Sequence, residues 1–236
     1  FRTVYVPTQN AQEAAYAAGI TVLPVPNLSA LLDHLAGRAA LPPCPPPEAP
    51  PAPADTLDFA HVMGQRAVKR ALEIAAAGGH NIPLSGSPGS GKSMMAKRFP
   101  TILPPLSDSE RLDVIRVWSA VGRGQEAVAR DARPFRAPHH TSSAAALAGG
   151  AGTANRLPSP GDVDLAHQGG WFLYELPEVH GDVLEAARQP LEDGPVTISR
   201  AAGQVTYPAR FQLIAAMNPC RCGWYGHPSG RCRCSE

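Results

Sequence analysis

Ten residues near the middle of the chain, Leu84 to Ser93, have the composition and spacing of a phosphate-binding loop. They read L-S-G-S-P-G-S-G-K-S, with Gly86, Gly91 and Lys92 in the pattern G-x-x-x-x-G-K-S. Glycines permit a tight turn in which successive backbone N–H groups face phosphate oxygens. The lysine ammonium would pair with the β- and γ-phosphates, and the serine hydroxyl would be a ligand for Mg²⁺. This pattern predicts that the chain binds a nucleoside triphosphate, or descends from a protein that did.

The elements on either side of this loop support the same interpretation. Asn81 to Ser85 has the pattern of a short strand, and Gly91 to Phe99 has the pattern of a helix whose N-terminus receives an anion. The alternative is a glycine-rich turn that binds nothing, but the complete motif between a strand and a helix favours a nucleotide site. The predicted nucleotide-binding residues here are Gly86, Ser87, Pro88, Gly89, Ser90, Gly91, Lys92 and Ser93.

Two apolar runs further along the chain end at polar residues. Gly169 to Leu176 is typical of a buried strand directed at Glu175, and Phe211 to Met217 is typical of another strand that ends at Asn218. Strands that alternate with helices after a phosphate loop predict an α/β fold, a parallel sheet with helices on both faces. Because functional groups gather at the carboxyl ends of such strands, we expect Lys92, Glu175 and Asn218 to lie together.

The cysteines suggest a metal site near the end of the sequence. Cys44 stands alone in a proline-rich segment, whereas four others form a C-x-C…C-x-C cluster: Cys220, Cys222, Cys232 and Cys234. Four thiolates suit tetrahedral Zn²⁺, although C-x-x-C is the more usual pairing. Four reduced cysteines and disulfides are the alternatives, and a cytosolic setting disfavours disulfides.

The chain has 236 residues and a net charge of +1, so bulk charge favours neither nucleic acid nor membrane. No apolar run approaches the ~20 residues of a membrane span.

The sequence begins at Phe1 and stops just after the cysteine cluster, and we expect it to be a piece of a longer protein. Its first forty residues read as strand, helix, strand, helix, which is too little to enclose a core. Asn10 and Glu13 have the spacing of a cap for the first helix, which we expect to run to Gly19. Residues 41–55 are proline-rich and predict an extended linker, with a ligand for a signalling module as the alternative.

Two segments of the main domain carry further predictions. Ser107 and Glu110 have the spacing of a capping box, which predicts a helix running to Val121. Residues 133–161 form a long Pro/Gly/Ala/Ser-rich segment, which predicts a functional insertion with some local structure. It contains basic groups that could contact nucleic acid or a neighbour's nucleotide, or simply face solvent: Arg133, Arg136, His139 and His140. Adjacent histidines point apart in an extended chain, which disfavours a metal site there.

Four long stretches, in this order, resemble the Mg-chelatase-like AAA+ ATPases of the ComM/YifB type. They are G-Q-R-A-V-K-R-A-L-E-I-A-A-A-G-G-H-N, R-P-F-R-A-P-H-H, L-E-D-G-P-V-T-I-S-R-A and A-A-M-N-P-C-R-C-G. The resemblance covers nearly the whole chain. It implies that residues 1–40 are the end of a Lon-protease-like, S5-type α+β domain, and that residues 56–236 are a P-loop NTPase domain of the AAA+ class.

The resemblance also implies an activity and roles for individual residues. It implies a cytoplasmic ring-forming ATPase, a homohexamer that uses ATP and Mg²⁺ and acts on DNA by helicase or branch migration during natural transformation. Glu175 matches the general base of Walker B, and Asn218 matches sensor 1. The 196–207 hairpin matches one that faces the ring pore. The segment matching the adenine pocket is Val62, Met63, Gly64 and Gln65.

Two other functions stay open at this point, and two parts of an AAA+ ATPase are expected beyond these residues. A magnesium-chelatase motor subunit is one alternative, although the Lon-like segment and the cysteine cluster argue against it. A nucleotide-binding ring subunit without turnover is another. The arginine finger and helical lid of AAA+ proteins follow the sensor-1 strand, so we expect these 236 residues alone to be an incompetent ATPase.

One position departs from the family pattern. Tyr174 stands where the family carries an aspartate immediately before the Walker B glutamate. That aspartate holds Mg²⁺ through water, and a neutral phenol lacks its charge. We therefore expect nucleotide binding to be retained and hydrolysis to be weakened. A sequence error or a decayed copy is the rival explanation.

Overall fold

A computed structural model describes residues 1–47, 57–130, 132–139, 141–150, 158–200 and 203–234, with the side chain of residue 200 left out. Several predictions therefore fall outside the described residues: the second part of the linker, His140, the centre of the 133–161 segment and the tip of the hairpin. Within the described part, no helix is long and apolar enough to span a membrane.

The strands and helices are numbered in chain order. The strands are β1 (Thr3–Pro7), β2 (Thr21–Val25), β3 (Ile82–Ser85), β4 (Phe135–Arg136), β5 (Gly169–Leu173), β6 (Pro195–Arg200), β7 (Gly203–Pro208) and β8 (Phe211–Met217). The helices are α1 (Ala11–Ala14), α2 (Leu28–Leu35), α3 (Arg66–Gly78), α4 (Lys92–Arg98), α5 (Asp108–Ser119), α6 (Gly124–Val128), α7 (Ala144–Ala148), α8 (Asp162–Leu165) and α9 (Gly181–Asp193). Short 3₁₀ turns occupy Thr8–Asn10, Phe59–His61, Phe99–Ile102 and Leu176–Glu178.

The chain divides into two compact units, and the first joins two separate stretches of sequence. It comprises Phe1–Ala52 and Ser107–Asp131. Within it, β1 and β2 pair in parallel, and α1 packs against α6. The sequence-based division assigned α5 and α6 to the ATPase domain, whereas their packing groups them with the N-terminal residues. The compact units therefore divide the chain differently, and the domain boundaries taken from the family resemblance stay a prediction.

Helix α1 is shorter than the sequence predicted. We expected Asn10 to cap a helix running to Gly19, but the helix ends at Ala14, and the Asn10 side chain accepts no hydrogen bond from the helix backbone. Instead, Asn10 Nδ2 donates to Glu13 Oε1 at 2.7 Å. Both carboxylate oxygens of Glu13 accept from Ser119 Oγ at 3.0 Å. A tertiary contact therefore uses the carboxylate that a capping box would have required.

The second unit comprises Pro53–Leu106 and Ala132–Glu236 and is built around a parallel sheet. Among the described strands, the order is β3-β8-β5-β4, so β8, the last in sequence, lies between β3 and β5. The register pairs Leu84 with Ala216 and Phe172 with Ile214. This is the α/β arrangement that the sequence predicted, and the strand limits of Phe211–Met217 agree with the prediction at both ends.

Helices cover both faces of this sheet. Successive side chains of a strand point to opposite faces, and in these strands the side chains on both faces are apolar. On one face, Phe172 and Ile214 pack in a core with residues of α3 and α4. On the other, Trp171 and Leu173 pack in a second core with residues of α7, α8, α9 and the β6–β7 hairpin. The two cores fix the sheet between the helices and so set the positions of the loops at its carboxyl edge.

Candidate nucleotide site

The phosphate loop follows β3 and leads directly into α4. Gly89 and Gly91 adopt φ of +79° and +88°, in the left-handed region that favours glycine, and Gly91 is the N-cap of α4. The loop is tied to the neighbouring strand because Gly86 N–H donates to the Met217 carbonyl at 3.4 Å. The glycine spacing recognised in the sequence therefore corresponds to a backbone turn that other residues would adopt only with strain.

The Lys92 ammonium is held at the centre of the loop. Its Nζ donates to the carbonyl oxygens of Gly86 at 2.6 Å and Ser87 at 3.0 Å, and to Asn218 Oδ1 at 3.2 Å. Partial burial lowers the pKa of Lys92. An anion placed beside this ammonium would offset that cost, because an opposite charge favours the protonated form.

A cavity of about 390 Å³ opens in front of the loop, and the predicted catalytic residues line it. Lys92 and Ser93 contribute from α4, Glu175 from the end of β5, and Asn218 from the end of β8. The structure thus brings together at one edge of the sheet the three residues that the strand pattern placed there. Their roles in catalysis stay a prediction.

Glu175 reaches this cavity through an unusual backbone conformation. The predicted strand continued to Leu176, but β5 ends at Leu173, and Glu175 has φ 53° and ψ 52°. A left-handed conformation costs a non-glycine residue roughly 1–2 kcal/mol. Its carbonyl accepts from Glu178 N–H at 2.7 Å, which fixes the turn. Such strain is typical of functional sites. Here the turn places Glu175, at the end of a buried strand, in the wall of the cavity.

Tyr174 also lines the cavity, as its position beside Glu175 requires. Its side chain is 43% exposed, and its ring meets Phe172 edge-on at 6.4 Å between centroids. A phenol therefore stands at the cavity wall in the position where the family pattern has an aspartate.

Of the segment predicted to line an adenine pocket, residues 62–65, Gln65 lines a cavity. Gln65 lines a neighbouring cavity of about 350 Å³, together with residues of α3, β3 and the phosphate loop. Val62, in contrast, is 1% exposed and belongs to the core, and Met63 is 87% exposed. Gly64 and Gln65 both have positive φ, so the chain turns sharply here before α3 begins. Val62 and Met63 line neither of the two cavities beside the phosphate loop, so their role at adenine stays a prediction.

The loop itself shows the fit expected for a phosphate group. Ser90 Oγ is buried and has no hydrogen-bond partner among the described residues. A Cβ added to Gly86 would approach this oxygen to 2.9 Å, so the loop closes tightly around it. A buried hydroxyl without a partner, in the loop whose carbonyl oxygens accept from the Lys92 ammonium, is a donor set that suits phosphate oxygens. The described residues therefore fit a nucleotide phosphate held by this loop and Mg²⁺ held by Ser93.

The candidate metal ligands form a compact group next to this site. The Sγ atoms of Cys220, Cys222, Cys232 and Cys234 all lie within 4.8 Å of one another. Hydrogen bonds from the backbone N–H groups of Arg233 and Trp224 lower the pKa of the Cys222 thiol to about 6. Sequence reasoning identified this group but missed its contact with the phosphate loop. There, a Cβ on Gly223 would lie 2.7 Å from Pro88 Cδ.

The basic residues of the 133–161 segment are engaged within the second unit. Arg133 donates from Nε to the Pro104 carbonyl at 2.6 Å and from Nη1 to the Gln168 carbonyl at 2.7 Å. Arg136 donates from Nε to Asp162 Oδ1 at 2.7 Å. His139 Nδ1 shares a hydrogen bond with Thr141 Oγ1 at 2.9 Å. These hydrogen bonds hold the segment to its own unit, and contact of its basic groups with nucleic acid or with a neighbour's nucleotide stays a prediction.

The fold and site together define a P-loop NTPase of the α/β class. The family described as "Magnesium chelatase, subunit ChlI" matches residues 58–236, and the chain belongs to this family. It is similar to "Uncharacterized protein YifB" of Salmonella typhimurium, with 42% identity over 98% of this chain and 45% of that protein. It is also similar to "Competence protein ComM" of Haemophilus influenzae, with 49% identity over 72% of this chain and 33% of that protein. The Mycobacterium tuberculosis protein Rv2897c is 44% identical over 93% of this chain and 43% of its own length. The chain thus spans less than half the length of these relatives.

Proposed function

We propose that this chain is the nucleotide-binding part of an ATP-driven motor of the ComM type, one that couples ATP hydrolysis to DNA remodelling by helicase or branch migration. The observation that carries the proposal is the convergence of Lys92, Glu175 and Asn218 on one cavity at the phosphate loop. The 49% identity to a protein named for competence supports natural transformation as the process, and DNA is the substrate that we propose for it. The proposed assembly is a homohexameric ring in the cytoplasm.

Each of the three residues has a separate task in this proposal. Lys92 pairs with the phosphate oxygens and gives up its contacts to the Gly86 and Ser87 carbonyls when it does so. Glu175 accepts the proton of the attacking water, and Asn218 links Lys92 to the end of β8. Mg²⁺ on Ser93, when bound, supplies positive charge against the charge that develops on the transferred phosphoryl group.

The remaining assignments extend the same proposal to the ring. The antiparallel pair β6–β7, registered from Pro195↔Pro208 to Arg200↔Gly203, would be the hairpin that faces the pore. The arginine finger and the lid would come from parts of the longer protein. A subunit that binds nucleotide without turnover is the second candidate, because Tyr174 lines the cavity in place of a carboxylate.

The test measures ATP binding and hydrolysis on the full-length protein with Mg²⁺, with and without branched DNA. Lys92→Ala should weaken ATP binding by about tenfold or more, since it removes the charged donor of the loop. Lys97→Ala is the matched control, because Lys97 lies on the same helix, is exposed and does not line the cavity. Turnover that rises with branched DNA is the expected result. Turnover stimulated by chelatase partner subunits would favour the chelatase alternative, and binding without turnover would favour the nucleotide-gated subunit.

A further inference from the structure

The four C-terminal cysteines have the geometry of a tetrathiolate metal site. Three of the Sγ–Sγ distances are 3.3 Å for Cys220–Cys222, 3.7 Å for Cys222–Cys232 and 3.8 Å for Cys220–Cys232. Four sulfurs at the usual Zn–S distance of about 2.3 Å are separated by about 3.8 Å along each edge of the tetrahedron. Disulfides would instead bring two pairs of sulfurs to about 2 Å. The spacing, from 3.3 Å to at most 4.8 Å, suits four ligands that close around one ion and excludes the bond length of a disulfide.

The segment that carries these cysteines needs such a centre to hold its shape. Between Asn218 and Cys234 the described residues form turns without a helix or strand, and residues 225–231 are exposed. Gly223, Gly226 and Gly230 adopt positive φ at successive turns. A stretch this short cannot bury a core of its own, and small loop-rich elements of this kind are commonly held by a metal.

Nearby groups suit the charge that four thiolates and Zn²⁺ would carry. Such a centre has a net charge of −2, and Arg221, Arg231 and Arg233 alternate with the cysteines in sequence. Tyr225 N–H donates to Cys220 Sγ at 3.3 Å. Backbone N–H groups that donate to ligand sulfurs stabilise the thiolate form, which is the form that binds metal. The Tyr225 N–H therefore favours the Cys220 thiolate, the form that a metal ion would bind.

The metal-binding segment also packs on the phosphate loop. Gly223 is buried, and a Cβ at this position would lie 2.7 Å from Pro88 Cδ and 3.8 Å from Asn218 Cγ. Cys220 lies two residues after Asn218, whose Oδ1 accepts from Lys92 Nζ. The sulfur cluster therefore stands at the end of a short chain of contacts that leads into the nucleotide cavity.

We propose that Cys220, Cys222, Cys232 and Cys234 bind one structural Zn²⁺, which holds Gly223 against Pro88 and thereby keeps the phosphate loop and Asn218 in their binding arrangement. On binding, each cysteine that is still protonated releases its proton to solvent, and four Zn–S bonds form without any change of oxidation state. The zinc assignment stands on the cluster alone. Its coupling to nucleotide rests on the proposed function.

The first measurement is the metal content of the full-length protein, purified without chelators, by mass spectrometry of the elements. We expect one zinc per chain, and cobalt exchanged into the site should give the visible absorption of tetrahedral cobalt thiolate. Cys232→Ser should lose the metal, while Cys44→Ser, which changes a cysteine outside the cluster, should retain it. Iron in place of zinc, a metal-free protein, or disulfides found by peptide mass mapping would overturn the proposal.

The second measurement tests the coupling without any substitution that could prevent folding. Zinc is removed from the wild-type protein by a chelator and then restored, and binding of a fluorescent ATP analogue is measured at each stage. We expect affinity to fall by about tenfold on removal and to recover on restoration. Zinc present at one per chain with unchanged nucleotide affinity would overturn the coupling. Absence of nucleotide binding by the zinc-loaded protein would instead contradict the proposed function and leave the metal result intact.

Discussion

At the scale of single residues, Tyr174 is the position at the cavity where we expect nucleotide binding and hydrolysis to depend on different chemistry. It lines the cavity beside Glu175, and its phenol cannot supply the charge of the aspartate that the family pattern has there. Ser93 and the phosphates can still hold Mg²⁺, so binding and hydrolysis should respond differently to this side chain.

Tyr174→Asp should raise the ATPase rate of the full-length protein by about tenfold or more, because it restores a carboxylate that positions Mg²⁺. Nucleotide affinity should change much less. Tyr174→Asn is the matched control, since it removes the same ring but adds no charge, and it should leave the rate unchanged. The measurement is steady-state phosphate release with saturating ATP and Mg²⁺. An equal rise in both variants would show that the ring obstructs the site and that charge is not the cause.

At the scale of strands and helices, close backbone approach constrains the sheet that carries the site. Gly169, the first residue of β5, has no room for a side chain: a Cβ would lie 1.9 Å from the Pro134 carbonyl oxygen. The next residue, Gly170, donates its N–H to that same oxygen at 2.8 Å. The junction between β4 and β5 therefore depends on glycine.

Gly169→Ala should destabilise the second unit by about 1–3 kcal/mol, because the Pro134 backbone must move away and the Gly170 hydrogen bond lengthens.

Gly181→Ala should have the opposite effect on stability. Gly181 begins α9, and a Cβ there would meet nothing within 4 Å. Alanine should stabilise that helix by about 0.4–1 kcal/mol. Urea denaturation of both variants is the measurement, and a Gly169→Ala protein as stable as wild type would refute the close approach.

Local patterns in the sequence predicted the elements whose formation depends on nearby residues. Ser107 and Glu110 form the capping box that their spacing indicated, with Glu110 N–H donating to Ser107 Oγ at 3.3 Å. The strand Phe211–Met217 and the parallel sheet followed from apolar runs and their order. The phosphate loop and the edge where Lys92, Glu175 and Asn218 meet followed from spacing and sheet topology.

What the sequence did not predict depends on contacts between distant residues. Glu13 is engaged by Ser119, 106 positions away, which is why the expected capping box of α1 is absent. The end of β5 at Leu173 reflects the left-handed turn at Glu175, a conformation that an acidic residue does not signal. The packing of Gly223 on Pro88 joins residues 135 positions apart, and nothing in either motif indicates it.

At the scale of the whole molecule, pH should change the stability of the second unit through one buried carboxyl group. Asp164 in α8 is 0% exposed, and its Oδ2 accepts from Gly161 N–H at 2.8 Å. Its Oδ1 has no hydrogen-bond partner among the described residues. Burial raises the pKa of Asp164 from 3.8 to about 7, against the opposing effect of the Gly161 hydrogen bond.

The sign of the pH dependence follows from the proton count. Between pH 4 and pH 7, roughly, the folded chain retains the Asp164 proton that the unfolded chain has lost, so stability falls as pH rises through this window. Above pH 7 the contribution is constant. A difference of about three between the two pKa values corresponds to at most about 4 kcal/mol.

Asp164→Asn should remove this dependence, because the amide oxygen can still accept from Gly161 N–H but carries no charge at any pH. We expect the variant to be more stable than wild type at pH 8 by about 1–4 kcal/mol, and the difference to be much smaller at pH 4.5. The measurement is the free energy of unfolding in urea at both pH values.

Asp162→Asn is a second comparison, since Asp162 is paired with Arg136 and its replacement should destabilise the fold at pH 8. A stability difference between wild type and Asp164→Asn that is the same at both pH values would show that Asp164 is ionised throughout. The buried end of α8 would then have to hold a charge that burial makes costly, and a hydrogen-bond donor to Oδ1 would be needed to explain it.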